Sequence, residues 1–187
     1  MNKLEIAPHM LYRAAKSYVE AEDDFDYIQA ILLAGSAMYI CEPLLQEQGK
    51  PTQAMERAER LIKLKEAKPE IVNNRLKIEW EANPLSDEEK ERVRKNTRIS
   101  DRAVYNALKH AGFKRQGIVV KASDDLDMLA VLDEYQDFRS AAEEIILDAI
   151  QDYMNLDFSG EFQPYNLPDK VRRVLHCIGL EEAFDEA

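Results

Sequence analysis

Arg102, Asn106 and His110 stand four residues apart, a spacing that lines them up as one stripe along a helix. Together they suit acid–base chemistry on an anionic substrate. A histidine near its ordinary pKa of about 6.5 can take or give a proton. A guanidinium can steady the negative charge that develops on a reacting phosphate. The stripe is long, however: about 12 Å of helical rise separates Arg102 from His110. One phosphate reaches both only if the arginine folds back or a second subunit contributes. Lys109 adjoins His110 but points about 100° away from it. Each residue also has a plainer role available. His110 can serve as a cation or hydrogen-bonder at a helix C-terminus, Asn106 as a link between helices, and Tyr105 as a partly buried aromatic that fills space.

The charge around the stripe is unusual for this chain, whose net charge is −11 over 187 residues. Between Lys90 and Lys121 ten Lys/Arg face only Glu91 and Asp101, a local charge of +8. The segment after it, 122–187, carries four basic and seventeen acidic groups, −13. The basic band has two readings. As a polyanion site it offers Arg92, Arg94, Lys95, Arg98, Arg102, Lys109, Lys114 and Arg115 to phosphates. The nucleic-acid contacts expected on that reading are Arg98, Arg102, Tyr105, Lys109, Lys114 and Arg115. As a structural device it neutralises the acidic C-terminal third, and the scarcity of aromatics for base stacking favours that slightly.

Other chemistries find no footing. There is no phosphate-binding glycine loop and no nucleophile elbow. His9, His110 and His176 are far apart, and Cys41 and Cys177 form no CxxC pair. No metal and no cofactor are expected, and both cysteines read as small hydrophobes. Glu143, Glu144, Asp148 and Asp152 form an acidic ridge that reads as a solvated helix face. With no signal-peptide pattern and no apolar run near the roughly 20 residues of a membrane span, a cytoplasmic protein without a membrane role is expected.

The elements that must position the stripe are helical. Apolar spacing predicts helices over Asn2–Glu22 and from Asp26 to Leu45, the latter apolar nearly all round and therefore central, with Gly35 and Ser36 admitting a close neighbour. Thr52 opens a third helix to about Lys68, and 69–84 has no clear period. Ser86 and Glu89 fit a capping box. Ser100 caps a helix over Asp101–Gly112 that carries the stripe. Gly117–Val120 suits a short strand or extended arm. A long helix over Met128–Asp157, a loop over Ser159–Pro168 and a last helix over Lys170–Ile178 capped by Asp169 complete the chain. The expectation is a single domain over 1–187, all-α, an antiparallel helical bundle of four to five principal helices with short accessory ones.

Three blocks then occur in a telling order: Asp26–Ala37 (DYIQAILLAGSA), Tyr105–Ala111 (YNALKHA) and Ala141–Tyr153 (AAEEIILDAIQDY). In this the chain resembles HEPN-like (higher eukaryotes and prokaryotes nucleotide-binding) domains over roughly residues 10–157. The resemblance implies a small helical bundle, often a homodimer. Many members are metal-independent ribonucleases or toxins of defence and toxin–antitoxin systems, and others are inert binding partners. The active ones share an Arg, a polar residue after it, and a His a few positions on. Asn106 matches the polar position and His110 the histidine, but the arginine position falls on Tyr105. A tyrosine donates one neutral hydrogen bond and cannot supply a guanidinium's charge or fork. The resemblance therefore implies association with RNA or a nucleotide, or with a cognate protein partner, with ribonuclease activity put in doubt at Tyr105 and Arg102 as a possible substitute. The other reading is a catalytically inert helical module for protein–protein interaction or dimerisation.

Overall fold

The computed structural model describes residues 2–72, 75–82, 85–109, 114–115, 118–119, 137–158, 166–177 and 179–184, with the strands described through their backbone pairing. Helices α1 (Lys3–Val19), α2 (Asp24–Glu47), α3 (Gln53–Ile62), α4 (Asp87–Ser100), α5 (Ala103–Lys109), α6 (Phe138–Met154) and α7 (Asp169–His176) dominate it. The architecture is an all-α antiparallel bundle, and β structure is confined to two hairpins. These are β1 (Lys65–Val72) with β2 (Arg75–Ala82) and β3 (Lys114–Arg115) with β4 (Ile118–Val119). Contacts divide the chain into two compact units, Met1–Thr52 with Asp101–Ala187, and Gln53–Ser100, where the sequence suggested one domain.

In the larger unit α2 is central and packs against α1, α6 and α5, while α7 packs mainly on α1. This packing buries Ala30, Ile31, Ala34, Met38, Cys41 and Leu45 of α2, while Phe25 stays 77% exposed. By length and composition α2 also matches a membrane span, with a mean hydropathy of 1.5 over 18 residues. Leu11, Ile31, Leu45, Ile146 and Tyr153 are among the largest fully buried side chains. The Tyr153 hydroxyl, which burial would otherwise leave costly, donates to the Leu4 carbonyl at 3.0 Å.

Helix ends follow local chemistry. Asn2 and Glu5 form a capping box at α1. The Asp23 carboxylate accepts from the Phe25 N–H at 2.8 Å, opening α2. Gly49, at φ 68°, ends the segment beyond that helix in a conformation few other residues adopt. The far ends of α2 and α6 are tied by Lys50, which donates to the Asn155 carbonyl at 2.7 Å and to Asp157 at 2.6 Å.

Several boundaries differ from expectation. α6 starts at Phe138, not Met128, because Asp137 is extended and its carboxylate takes the Ser140 N–H at 2.7 Å. Residues 128–136, with Tyr135, lie outside the described residues. Ser100 ends α4 instead of capping the next helix, which begins at Ala103. Pro168, not Asp169, holds the cap position of α7. Of the two readings of Gly117–Val120, short strand or extended arm, Ile118–Val119 forms a strand, and most of the 159–168 loop falls outside the described residues.

The smaller unit contains α3, α4 and the β1–β2 hairpin. The Ser86–Glu89 capping box forms as expected, with the Glu89 carboxylate accepting from the Ser86 N–H at 2.7 Å and the Ser86 hydroxyl accepting from the Glu89 N–H at 3.3 Å. α3 and α4 pack together, and Arg94 reaches Glu59 at 2.7 Å. Helix α3 stops at Ile62, so Lys65–Lys68 belong to a strand and not to the third helix. The hairpin register runs from Lys65 opposite Ala82 to Val72 opposite Arg75.

Candidate functional site

Helix α5 is seven residues long, too short to be stable by itself. One buried ring anchors it on α2. Tyr105 is 3% exposed, and its ring occupies the notch at Gly35, where a Cβ would stand 2.1 Å from Cδ2. The close approach that Gly35 and Ser36 predicted is therefore made by a residue of the stripe segment itself. Ser36 Oγ donates to the Leu32 carbonyl at 2.7 Å, so in its 3.4 Å contact with Tyr105 the tyrosine hydroxyl is the donor.

Around this anchor, Tyr39 organises the polar residues. Its ring lies 5.3 Å from that of Tyr105, centroid to centroid. Its hydroxyl donates to Asn106 Oδ1 at 3.0 Å. Arg102 Cζ sits 4.9 Å and Lys109 Nζ 5.2 Å from its ring centroid, distances at which a cation is attracted to the ring. Arg102 also extends Nη2 to within 2.6 Å of Glu42, with the two side chains 8% and 17% exposed. The Asn106 N–H bonds to the Arg102 carbonyl at 2.9 Å, which fixes their four-residue relation although Arg102 precedes the helix.

The structure thus brings Arg102, Tyr105, Asn106 and Lys109 together, and assigns most of them to holding α5 in place. Tyr105, expected as a nucleic-acid contact, has no open ring face, and it fills space as the plainer reading allowed. Arg102, weighed in the sequence as a possible substitute for the missing arginine, is already paired with Glu42, and a phosphate would have to displace that carboxylate. Lys109 is exposed, as is Tyr39 at 40%. Arg98 is exposed on α4 in the other unit. Lys114 and Arg115 form β3, opposite Val119 and Ile118. His110 lies outside the described residues.

The sequence reading missed Tyr39 and Glu42, taking their helix as apolar nearly all round. A signal was available: Gly35, Tyr39 and Glu42 follow at steps of four and three, a stripe of small, aromatic and acidic residues on a helix otherwise apolar nearly all round. The acidic ridge also breaks up. Asp152 is buried at 1% exposure, and its charge adds to burial in pushing the Cys41 thiol up to about 12. Cys41 is fully buried, as expected, while Cys177 is half-buried and donates to the Val174 carbonyl at 3.0 Å. Among the described residues no three His, Cys, Asp or Glu come together as a metal site.

Comparison of the chain with family models, with curated proteins and with solved structures finds no match.

Proposed function

We propose that this chain is a HEPN-like helical module that binds a partner and does not cleave RNA. The observation that carries this reading is the Arg102–Glu42 pair at 2.6 Å. Arg102, the arginine read as a substitute for the one missing at Tyr105, is held by Glu42, so metal-independent cleavage is without that guanidinium. Purified protein should leave single-stranded RNA intact with or without chelator, and Arg102→Ala should lower the melting temperature without changing any RNA readout. Chelator-resistant cleavage that disappears in His110→Ala would overturn the reading.

A second reading, association with RNA or a nucleotide, draws support from Lys109 beside the exposed ring of Tyr39. An exposed cation beside a partly exposed aromatic ring is the pairing that a phosphate and a stacked base use. On this reading, labelled single-stranded RNA binds at low salt, releases steeply as salt rises, and binds less well to Lys109→Ala, Tyr39→Ala and Arg98→Ala. No retention at low salt would remove it. A cytoplasmic setting, with a cognate protein of a defence or toxin–antitoxin pair, is compatible with either reading.

A further inference from the structure

The β1–β2 hairpin is two-faced, and its register shows how. Ala67, Pro69 and Ile71 stand opposite Trp80, Ile78 and Leu76 on one face. Glu66, Lys68, Glu70 and Val72 stand opposite Glu81, Glu79, Lys77 and Arg75 on the other. Among the described residues no third strand joins the sheet, and a hairpin of two strands is marginally stable in water.

Its two edges differ. Proline in a strand sits with its missing N–H side turned outward, so β1 offers an incomplete edge at Pro69. The same fact makes Pro69 and Ile78 a pair of the non-hydrogen-bonded kind, which turns the N–H and C=O of Ile78, and by alternation those of Leu76 and Trp80, to the open edge of β2. No proline interrupts β2.

We infer that β2 is the docking edge for a second copy of this chain, paired antiparallel about Ile78 in a four-stranded sheet. The occupant is specified by charge. From Arg75 to Glu81 the strand reads basic, apolar, basic, apolar, acidic, apolar, acidic. Paired with itself about Ile78, it sets Arg75 opposite Glu81 and Lys77 opposite Glu79, each twice, and Leu76 opposite Trp80. Registers shifted by one residue set apolar against charged positions and mismatch the backbone groups. Shifting the pairing by two residues cuts the four opposite-charge pairs to two and sets Lys77 against Lys77 or Glu79 against Glu79, and like charges directly opposite are unfavourable. A strand most complementary to itself in one register favours a two-fold dimer, the commonest closed assembly.

The inference deepens the interaction-module reading and rests on it. Its test uses Arg75 and Glu81, because their partners within the hairpin, Val72 and Glu66, lose no favourable charge when they are reversed. Full-length wild-type protein should sediment as a dimer. R75E and E81R should each weaken dimerisation by about tenfold or more while keeping the helical circular dichroism. The double swap R75E/E81R should restore it, and mixing the two single variants should give a heterodimer. Trp80 is the single tryptophan, and its emission should change with protein concentration over the same range.

A wild-type monomer, a dimer indifferent to both reversals, or a swap that fails to rescue would each overturn the docking edge. RNA integrity, read on the same preparations, separates the two ideas. A wild-type monomer that leaves RNA intact defeats self-docking alone, whereas cleavage lost in His110→Ala defeats the inert-module reading.

Discussion

The ring of Tyr105 lies where position 35 can hold only glycine, with Cδ2 2.1 Å from the site a Cβ would take. The clash involves the body of a buried ring and not a flexible tip, so Gly35→Ala must push α5 off α2. Overpacking of this kind typically costs about 1–3 kcal/mol, and a chemical melt of Gly35→Ala should show a loss at or above that range. Placing at position 105 the arginine that the HEPN-like resemblance calls for meets the same notch. Tyr105→Arg would bury a charge against Gly35 and should destabilise the bundle without creating ribonuclease activity; a folded, chelator-resistant nuclease from that single change would show that the notch adapts.

Arg102 and Glu42 form a largely buried pair, and removing one member takes from the other its opposite charge at 2.6 Å. Such single deletions cost about 3–5 kcal/mol, whereas replacing both with apolar residues is often far less harmful. Arg102→Ala and Glu42→Ala should therefore each be severe, and Arg102→Met with Glu42→Leu should cost less than the sum of its single replacements. Denaturant unfolding of the four proteins closes the cycle. Strict additivity would mean that the pair does not hold α5.

Much of the larger unit was legible in the sequence, because its signals are local. The apolar circumference of α2 made it central, and Gly35 with Ser36 announced a close neighbour. The pairing of Glu42 with Arg102 spans sixty residues, and nothing local marks it. The β1–β2 hairpin escaped notice because Lys and Glu, which suit helices, carry a strand period: Leu76, Ile78 and Trp80 alternate with charge, and Pro69 obscures the matching alternation on β1. The acidic ridge misled through geometry. Steps of four residues advance 400°, so Glu144, Asp148 and Asp152 drift about 80° around the helix, enough to carry Asp152 into the core. His110, the histidine that the sequence pattern singled out, lies outside the described residues, and only its place after Lys109 in the sequence is in hand.

Acid should weaken the start of α6. The backbone N–H of Ser140, and then its hydroxyl, hold the Asp137 carboxyl below the usual carboxylate range. A carboxylate with a lowered folded pKa contributes stability that is present above its unfolded value, about 3.9, and lost as pH falls through the folded one. Melting temperature measured from pH 6 downward should fall below pH ~4, and Asp137→Asn should flatten part of that decline. An unchanged acid limb would mean that this cap is already open in solution.

Alkali should act through Cys41. Burial, reinforced by the charge of Asp152, pushes its thiol from 9.0 to about 12. A group whose folded pKa is raised contributes stability that is complete below the unfolded value and lost as pH climbs toward the folded one. The unfolded chain releases that proton first, so stability should fall between pH 9 and about 12. Cys41→Ala should reduce the alkaline slope while costing some packing. The same burial keeps the thiolate scarce, and only the thiolate is nucleophilic. A disulfide reagent at pH 8 should thus label Cys41 at the rate of bundle opening, slowing in stabilised conditions and accelerating in Gly35→Ala. Immediate labelling of Cys41 in the native protein would show that the α2–α6 seam opens far more readily than its packing implies.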